Sequence, residues 1–597
     1  YDPAEGVIPA PEGEGPLALV SFYRSYLTAA DTAPIDALIH GLRARGFAAC
    51  GLFAPSLKSE GLGDALQARL DGRRPALVVN ATAFSAQGAD GTTPFDRYDV
   101  PVFQVALSTA RKRDWALADR GLSPADLAMH VVLPEVDGRL FAGVVSFKAP
   151  EPRDPDLEFS RFAHRPDPAR VAAALDRITL WHRLAETPAA ARKLAVVLST
   201  YPGRAWQMAH AVGLDALAST EALLSQLAAE GYAIAPGAAL ETLTSERLTW
   251  PLSDYLTALD TLSEKLRADL TAAWGPPEAD PACADGAFHF AALRRGAALI
   301  ALQPERGDVQ TRDGEYHDLS RVPRHGYVAF YLWLRALGID ALVHMGAHGT
   351  LEWLPGKAVA LSDSCWPEAL CPLPVIYPFI VNDPGEAAQA KRRLSAVTLG
   401  HLPPPLSTAA VPEGMARLER LLDEYSTADG LDPARRDRLI SDIRDEARAS
   451  GVEDDLGIPA TASAAEAITR IDRFVCDIKE SLFGDGLHVL GQGACGAEEQ
   501  AGLSAALAGK RVPPGPSGSP ARGRADVLPT GRNLFSVDPR AVPSRAAYAQ
   551  GVKLAEELLR KHLQDHGDWP KGLVVDLWGS ATMRTAGEEF AMALHLA

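Results

Sequence analysis

Apolar runs alternate with helical segments from the start of the chain, and this alternation constrains the fold more than any other feature. The run LALVSFY at residues 17–23 is followed by DTAPIDALIHGLRARG, in which the apolar residues have helical spacing. The runs AACGLFA and PALVVNATAF come next, with LGDALQARLDG between them. Strand, helix, strand, helix, strand is typical of a parallel sheet covered by helices. The sequence therefore predicts a Rossmann-like α/β domain over residues 1–150.

The rest of the chain repeats this pattern with interruptions. The segments KLAVVLSTYPGR, ALIALQ and IDALVHM are strand-like, and GYVAFYLWLRALG predicts a helix with one apolar face. We predict an α/β body over 151–410, a helical insertion over 411–500 and the continued body over 501–597. A helical hairpin is expected from Gly414 to Gly451, and the chain is expected to be a fragment of a longer protein. The predicted fold class is α/β and multidomain, with Rossmann-like parallel-sheet units and helical insertions.

Charge, cysteines and missing motifs limit the classes of partner. A formal net charge of −17 without a long basic run argues against nucleic acid. An anionic substrate would therefore need a local cluster of Arg and Lys. The six cysteines form no CxxC pair, which favours a cytoplasmic location, and no apolar run reaches the roughly 18 residues of a membrane span. No GxGxxG or GxxxxGK[ST] loop occurs, so any ATP hydrolysis would belong to another chain.

The segment HMGAHGTLEWLPGK brings His344, His348 and Glu352 close together in sequence. On a helix this spacing would form a metal-binding face, but the intervening glycines favour a loop at the carboxyl end of a strand. Ligands gather at that edge of open α/β sheets, and imidazole with carboxylate can bind a divalent metal or move protons there. The alternative is structural: one histidine at a strand end, one in the core and a glutamate capping a helix. A structural zinc site is disfavoured because no cysteine pair completes it.

Three other segments carry candidate side chains. His325 in YHDLSRVPRHGY precedes the helix that leads to the same strand, so it is expected either to face the same crevice or to be a packing residue. Arg392 belongs to NDPGEAAQAKRR, a predicted capped helix whose basic end is alternatively only solvated. Arg532 lies in the predicted turn LPTGRNLFSVDPRAVP, where its planar guanidinium suits a carboxylate or is merely a surface group.

Eight segments, in this order, resemble the family that contains the cobaltochelatase large subunit CobN and the large subunit of magnesium chelatase. They are TAPIDAL, TYPGRAWQMAHAVGLDALAS, YHDLSRVPRHGYVAFY, HMGAHGTLEWLPGK, YPFIVNDPGEAAQAKRR, GHLPPPL, LPTGRNLFSVDPRAVP and LWGSATMRTAGEE. Together they extend over nearly the whole chain. The forms IVNDPGE and TGRNLFSVDP resemble the cobalt branch more than the magnesium branch.

The resemblance implies insertion of Co²⁺ into hydrogenobyrinic acid a,c-diamide in aerobic cobalamin synthesis, with ATP and Mg²⁺ used by the partner ATPases CobS and CobT. It suggests Glu352 as proton acceptor, with His344, His348 and His325 delivering cobalt or assisting proton transfer. His344, His348 and Glu352 are the candidate metal ligands. The candidate substrate contacts are Lys357, Arg392, Arg532 and His325. The alternatives are insertion of Mg²⁺ into protoporphyrin IX and a noncatalytic tetrapyrrole-binding protein.

Overall fold

The computed structural model describes residues 13–70, 72–199, 210–211, 213–307, 318–347, 349–382, 384–404, 417–418, 421–422, 433–449, 471, 486–520, 524–577 and 579–597. The chain divides into two compact units. The larger comprises Tyr1–Ala211, Asp215–Leu402 and Val489–Ala597, and the smaller comprises Val212–Leu214 and Pro403–His488. The domain limits inferred from sequence stay predictions.

The amino-terminal part of the larger unit contains a six-stranded sheet. Its strands are β1 (Leu17–Tyr23), β2 (Ala48–Ala54), β3 (Pro75–Asn80), β4 (Val102–Ser108), β5 (Leu140–Pro150) and β6 (Phe162–Pro166). The spatial order is β2-β1-β3-β4-β5-β6, and only β6 runs antiparallel to its neighbour. Strands β2 and β4 are buried along their whole length, because helices cover both faces of a parallel sheet. The helices of this part are Arg24–Thr28, Ala33–Arg43, Leu62–Arg69, Lys112–Leu117, Pro124–Leu127, Leu133–Glu135 and Pro168–Glu186.

A second, eight-stranded sheet follows. The strands after β6 are β7 (Leu194–Leu198), β8 (Leu248–Pro251), β9 (Cys283–Ala284), β10 (Ala287–Phe290), β11 (Ala292–Arg295), β12 (Ala298–Leu302), β13 (Ala341–Met345), β14 (Val375–Ile380), β15 (Val397–His401), β16 (Pro514–Pro516) and β17 (Asn533–Phe535), besides the two-residue strands His210–Ala211 and Leu214–Asp215. The large sheet has the order β11-β12-β7-β13-β14-β15-β17-β16, and β8, β10 and β9 form a small antiparallel sheet. The multidomain α/β prediction is confirmed.

Both large sheets share one topology in their parallel parts. In the first sheet the parallel strands lie in the order second, first, third, fourth, fifth along the chain, and the strands β12-β7-β13-β14-β15 of the second sheet repeat that order. The direction of winding therefore reverses beside the first strand of each sheet. Open α/β sheets form their ligand crevices at this reversal, outside the carboxyl ends of the strands.

Helices surround the second sheet. They are Ala216–Ala229, Leu252–Leu259, Glu264–Trp274, His325–Ala336, Trp366–Leu370, Pro384–Leu394, Gly496–Leu507, Arg545–His566, Gly579–Thr585 and Glu588–Leu596. The sequence predicts one apolar face for His325–Ala336, but every residue from His325 to Leu334 is buried. The helices Leu252–Leu259 and Trp366–Leu370 and the strand β10 pack around it, so no side of its first turns faces solvent.

In the smaller unit, the helix Pro433–Ala449 is described, and residues 417–418 and 421–422 are described as helical; the other residues of the predicted hairpin lie outside the described residues. None of the described helices combines the length and the apolar character that crossing a membrane requires.

Candidate functional site

Strands on both sides of β7 in the second sheet bring polar side chains to the reversal point. Gln303 directly follows β12, His344 lies near the end of β13, and Tyr377 lies within β14. The chain leaves β13 as an irregular loop and forms a single 3₁₀ turn, Leu351–Trp353, that carries Glu352. The structure therefore has the strand-end loop that the glycines favour rather than a continuous helix.

His344 is held by an amide on one side and an aromatic ring on the other. It is 2% exposed, and its Nε2 lies 2.8 Å from Gln303 Oε1. Gln303 uses its own amide nitrogen to donate to Thr350 Oγ1 at 2.6 Å, so its oxygen is the atom that accepts from His344. This pairing fixes the proton of His344 on Nε2. The imidazole ring also packs on Tyr377, with ring centroids 4.6 Å apart.

Glu352 is a carboxyl group sealed from solvent. Its exposed fraction is 0%, and its Oε1 accepts a hydrogen bond of 3.1 Å from the Tyr377 hydroxyl. Its Oε2 has no hydrogen-bond partner among the described residues. Burial raises the pKa of Glu352 to about 7, and the charge of Glu386 adds to the shift. The group can therefore take up or release a proton near neutral pH.

Gly349 is packed so closely against these groups that no side chain fits at its position. A Cβ atom on Gly349 would lie 2.5 Å from the Tyr377 hydroxyl oxygen, 2.9 Å from His344 Nε2 and 3.0 Å from Glu352 Oε2. The Gly349 amide itself donates to the Tyr377 hydroxyl at 2.6 Å. The phenol, the imidazole and the carboxyl group therefore lie side by side against the backbone of Gly349.

Two buried arginines hold the loop that carries Glu352. Arg393 donates to the carbonyl oxygen of Glu352 at 2.5 Å and to that of Lys357 at 3.0 Å, and it is only 2% exposed. Arg306 donates to the carbonyl oxygen of Trp353 at 2.8 Å. These bonds fix the backbone on both sides of the carboxyl group, so the loop is braced although it is irregular.

The predicted cationic contacts are not gathered around Glu352. The Lys357 ammonium donates to the carbonyl oxygens of Ala116 and Ala118, both at 2.9 Å, and lies over the Trp115 ring. Arg532 donates within its own loop, to Pro529 and Asp526. Their roles in substrate binding stay predictions.

The basic end of the helix Pro384–Leu394 is not a solvated surface. Arg392 forms a two-pronged ion pair with Glu135 at 2.9 and 3.2 Å. The neighbouring Lys391 is buried and donates to Asn533 Oδ1 at 2.6 Å, and burial lowers its pKa to about 8. Arg392 and Lys391 each bind a side chain elsewhere in the larger unit, so neither is a free surface charge.

His325 contacts the helical layer rather than the strand ends. Its Nδ1 lies 2.6 Å from the Tyr255 hydroxyl, its Nε2 lies 2.9 Å from the Gly275 carbonyl oxygen, and burial lowers its pKa. Its role in substrate binding, like those of Lys357 and Arg392, stays a prediction.

The proposed metal ligands are only partly described. His348 lies outside the described residues. Among the residues that the structure describes, no group of three or more His, Cys, Asp and Glu side chains is placed to hold a metal ion. His344 and Glu352 are brought together, with Nε2 and Oε2 both packed against Gly349.

Sequence reasoning did not select four side chains that contact His344 or Glu352 or act on the charge of Glu352: Gln303, Tyr377, Arg393 and Glu386. Gln303 and Tyr377 lie 41 and 25 positions from the side chains they bind, so no local motif contains them. The sequence does contain one signal for both residues, a polar side chain within or directly after an apolar strand. Tyr377 has the single hydroxyl in the apolar strand VIYPFI, and Gln303 is the first polar residue after the run ALIAL.

Known proteins resemble this chain along its whole length. The family model CobN/Magnesium Chelatase matches residues 9–499 and 493–597. The aerobic cobaltochelatase subunit CobN of Sinorhizobium sp is 37% identical, over 99% of this chain and 58% of that protein. The large magnesium-chelatase subunit of Rhodobacter capsulatus is 29% identical, over 100% of this chain and 53% of that protein.

A solved structure of a chelatase subunit has the same fold as this chain. The catalytic subunit of cobaltochelatase from Mycobacterium tuberculosis superposes with a TM-score of 0.74 and 31% identity, over 99% of this chain and 60% of that one. The chain thus spans somewhat more than half of the proteins it matches.

Proposed function

The chain belongs to the CobN/magnesium chelatase family, and from that membership we propose that it is part of the large, tetrapyrrole-binding subunit of a cobaltochelatase. The reaction is the ATP-dependent insertion of Co²⁺ into hydrogenobyrinic acid a,c-diamide during aerobic cobalamin synthesis, in the cytoplasm. Identity is higher to the aerobic cobaltochelatase subunit, at 37%, than to the magnesium-chelatase subunit, at 29%, and this favours cobalt.

One observation carries the chemistry: Glu352 Oε2, His344 Nε2 and the Tyr377 hydroxyl come together at Gly349, all within 3.0 Å of the point that a Cβ atom on this residue would occupy. Metal insertion removes protons from the central nitrogens of the ring as Co²⁺ replaces them. A carboxylate with a pKa of about 7 is half ionised near neutral pH, so Glu352 can accept such a proton and later release it. We assign Glu352 as the proton acceptor.

His344 has a supporting part in this proposal. Its Nε2–H is donated to Gln303 and its Nδ1 lies 3.3 Å from the Gly346 carbonyl oxygen, so neither ring nitrogen donates to Glu352. The ring packs instead on Tyr377, which donates to Glu352 Oε1, so His344 helps to hold the phenol beside the carboxyl group. The predicted ligands for the incoming Co²⁺ are His344, His348 and Glu352, since imidazole and carboxylate suit this ion.

ATP enters through other chains in this proposal. The sequence has no phosphate-binding loop of the GxxxxGK[ST] type, so hydrolysis of ATP with Mg²⁺ is assigned to CobS and CobT. Their hydrolysis would drive a conformational step rather than the proton transfer itself.

The test is an absorbance titration of the full-length protein with hydrogenobyrinic acid a,c-diamide and, in parallel, with protoporphyrin IX. Co²⁺, ATP and the two ATPase partners are then added. Tight binding of the corrinoid, followed by a spectral change that requires both cobalt and ATP, is the expected result. Preference for protoporphyrin with Mg²⁺ would move the chain to the magnesium branch, and binding without insertion would leave a tetrapyrrole-binding protein.

A further inference from the structure

The first sheet has a crevice of its own at its reversal point. A cavity of about 320 Å³ lies there, lined by Tyr23 at the end of β1, by Ser56 and Lys58 after β2, and by Thr82 and Phe84 after β3. Small-molecule sites commonly have volumes from about 300 Å³ upward and lie at such reversal points. We propose that this cavity binds a carboxylate carried on a planar aromatic ring. This site goes beyond the proposed chelatase reaction.

Phe84 supplies an exposed aromatic surface held in an unfavourable backbone conformation. Its φ angle is +66°, in the left-handed region that bulky residues rarely adopt, and its side chain is 48% exposed. A bulky residue at such an angle costs on the order of 1–2 kcal/mol, and strain of this kind concentrates at ligand sites. About half of the side chain is exposed, so burial offsets only part of this cost, and a ligand that stacks on the ring would bury the exposed part as well.

The loop around Phe84 is fixed on both sides. The Tyr23 hydroxyl donates to the Ala83 carbonyl oxygen at 2.7 Å, and the Phe84 amide donates to the Met129 carbonyl oxygen at 2.8 Å. Ser85 donates through its hydroxyl to Asp137 at 2.6 Å. The ring is therefore presented by a rigid loop, which lowers the entropy lost when a flat ligand stacks on it.

The charges around the cavity favour an anion. Lys58 and Arg540 line it and share the carboxylate of Asp538, which Arg540 binds through two hydrogen bonds of 2.8 Å. Behind the wall, the buried Arg139 pairs with Asp137. Cations thus outnumber carboxylates here, although the whole chain has a net charge of −17. This is the local reversal of field that an anionic ligand needs.

The polar lining suits a carboxylate rather than a larger anion. The hydroxyls of Tyr23, Thr82 and Ser85 line the cavity but already donate to Ala83, Asn80 and Asp137, so the donors available to a carboxylate are the cations Lys58 and Arg540. The ring and carboxylate can come from a free aromatic acid or from the rim of a tetrapyrrole, of which the cavity would admit one edge. The two sources share the same recognition chemistry, and the experiment separates them.

The probe is 2-naphthoate, and its binding to the full chain is measured by equilibrium dialysis. Phe84→Gly removes the ring while keeping a residue that accepts the left-handed angle, and Lys58→Gln removes the cation. We expect each to weaken binding by about tenfold or more. The matched controls are Phe159→Gly, at a ring that is 59% exposed, and Lys561→Gln on the helix Arg545–His566. Both controls should leave binding unchanged.

Competition identifies the source of the ring. If uroporphyrin displaces 2-naphthoate and its own binding is weakened in the same two variants, the cavity receives the edge of a tetrapyrrole. If 2-naphthoate binds and uroporphyrin does not displace it, the ligand is a separate small aromatic acid. The proposal is overturned if 2-naphthoate does not bind, or if Phe84→Gly and Lys58→Gln bind it as well as their controls do.

Discussion

At the reversal point of the first sheet the side chains are partly exposed and cationic, whereas at that of the second they are buried and include a carboxyl group. Phe84 is 48% exposed beside Lys58, while Glu352 is 0% exposed beside Tyr377. The strand order is the same in both sheets. Topology therefore locates a crevice, and the residues that follow the strands decide what chemistry it can do.

Desolvation explains the difference between the two crevices. Beside the first cavity, burial opposes the charge of Asp538, but its hydrogen bonds to Arg540 outweigh burial and lower the pKa of Asp538, so this ion pair stays charged near neutral pH. Around Glu352 burial penalises the charged form and brings its pKa near neutrality. The first crevice is suited to binding and the second to proton transfer, and each prediction below changes one feature of this contrast.

The largest effect is expected from Glu352→Gln. The amide keeps the shape of the buried side chain but cannot accept a proton, so cobalt insertion by the complete complex should fall by at least about 100-fold. Binding of the corrinoid, measured by absorbance titration, should change by less than about threefold, since the ring is held mainly by other groups. Insertion at the wild-type rate with intact binding would remove Glu352 as proton acceptor.

A smaller loss of insertion rate is expected when a methyl group is added at Gly349, between Tyr377, His344 and Glu352. In Gly349→Ala the new methyl group would lie 2.5 Å from the Tyr377 hydroxyl oxygen, so Tyr377 or the loop must shift. We expect a loss of about 1–3 kcal/mol in the free energy of unfolding of the body and about tenfold slower insertion. Hydrogen exchange of the β13 and β14 amides measures the change in the free energy of unfolding, and the insertion assay with the ATPase partners measures the rate.

The control for this variant is Gly572→Ala, because a Cβ on Gly572 would meet no atom within 4 Å. It should leave both the exchange rates and the insertion rate unchanged. Equal exchange rates and equal insertion rates in the two alanine variants would mean that the close packing at Gly349 does not matter for insertion.

The sequence predicted the layers of the fold and a strand-end crevice beside Glu352, but not the crevice beside Phe84. Strands buried on both faces are continuous apolar runs, so LALVSFY and IDALVHM could be recognised without the structure. The order in which parallel strands lie is set by long-range packing, and no local pattern encodes the shared reversal. The cavity beside Phe84 was missed for that reason, since its residues come from separate loops.

The site was predicted to the extent that it is local. His344 and Glu352 were found because eight positions separate them in one motif. Gln303 and Tyr377 could not be found in the same way, because neighbouring strands bring them in. The partners of Lys357 and Arg392 show the converse: their charge is visible in the sequence, but the carbonyl oxygens and the carboxylate they bind are not.

A moderate shift is expected in the pH dependence of insertion. Insertion by the wild-type complex should rise through about pH 7 as Glu352 loses its proton, and stay level above it. Tyr377 donates a hydrogen bond to the carboxylate and so stabilises its charged form. Tyr377→Phe removes that bond, so the pKa of Glu352 should rise and the midpoint should move about one unit to higher pH. The pH–rate profile is the measurement.

Tyr98→Phe is the matched control for this shift. Tyr98 is also a buried tyrosine, and its hydroxyl has no hydrogen-bond partner among the described residues. Its profile should coincide with that of the wild type. A midpoint that moves to lower pH in Tyr377→Phe would mean that the phenol does not stabilise the carboxylate.

The smallest effect is expected at the first crevice, where a side chain is removed rather than added. Phe84→Gly relieves a left-handed backbone angle, worth about 1–2 kcal/mol, but gives the unfolded chain more freedom, which costs about 0.5–1 kcal/mol, and loses the contacts of the buried half of the ring. Hydrogen exchange of the β1 and β3 amides should therefore show a change of no more than about 1 kcal/mol in the free energy of unfolding. A loss of about 3 kcal/mol or more, as expected for a fully buried phenylalanine, would show that the ring packs usefully without a ligand, and the case for a strained platform would fail.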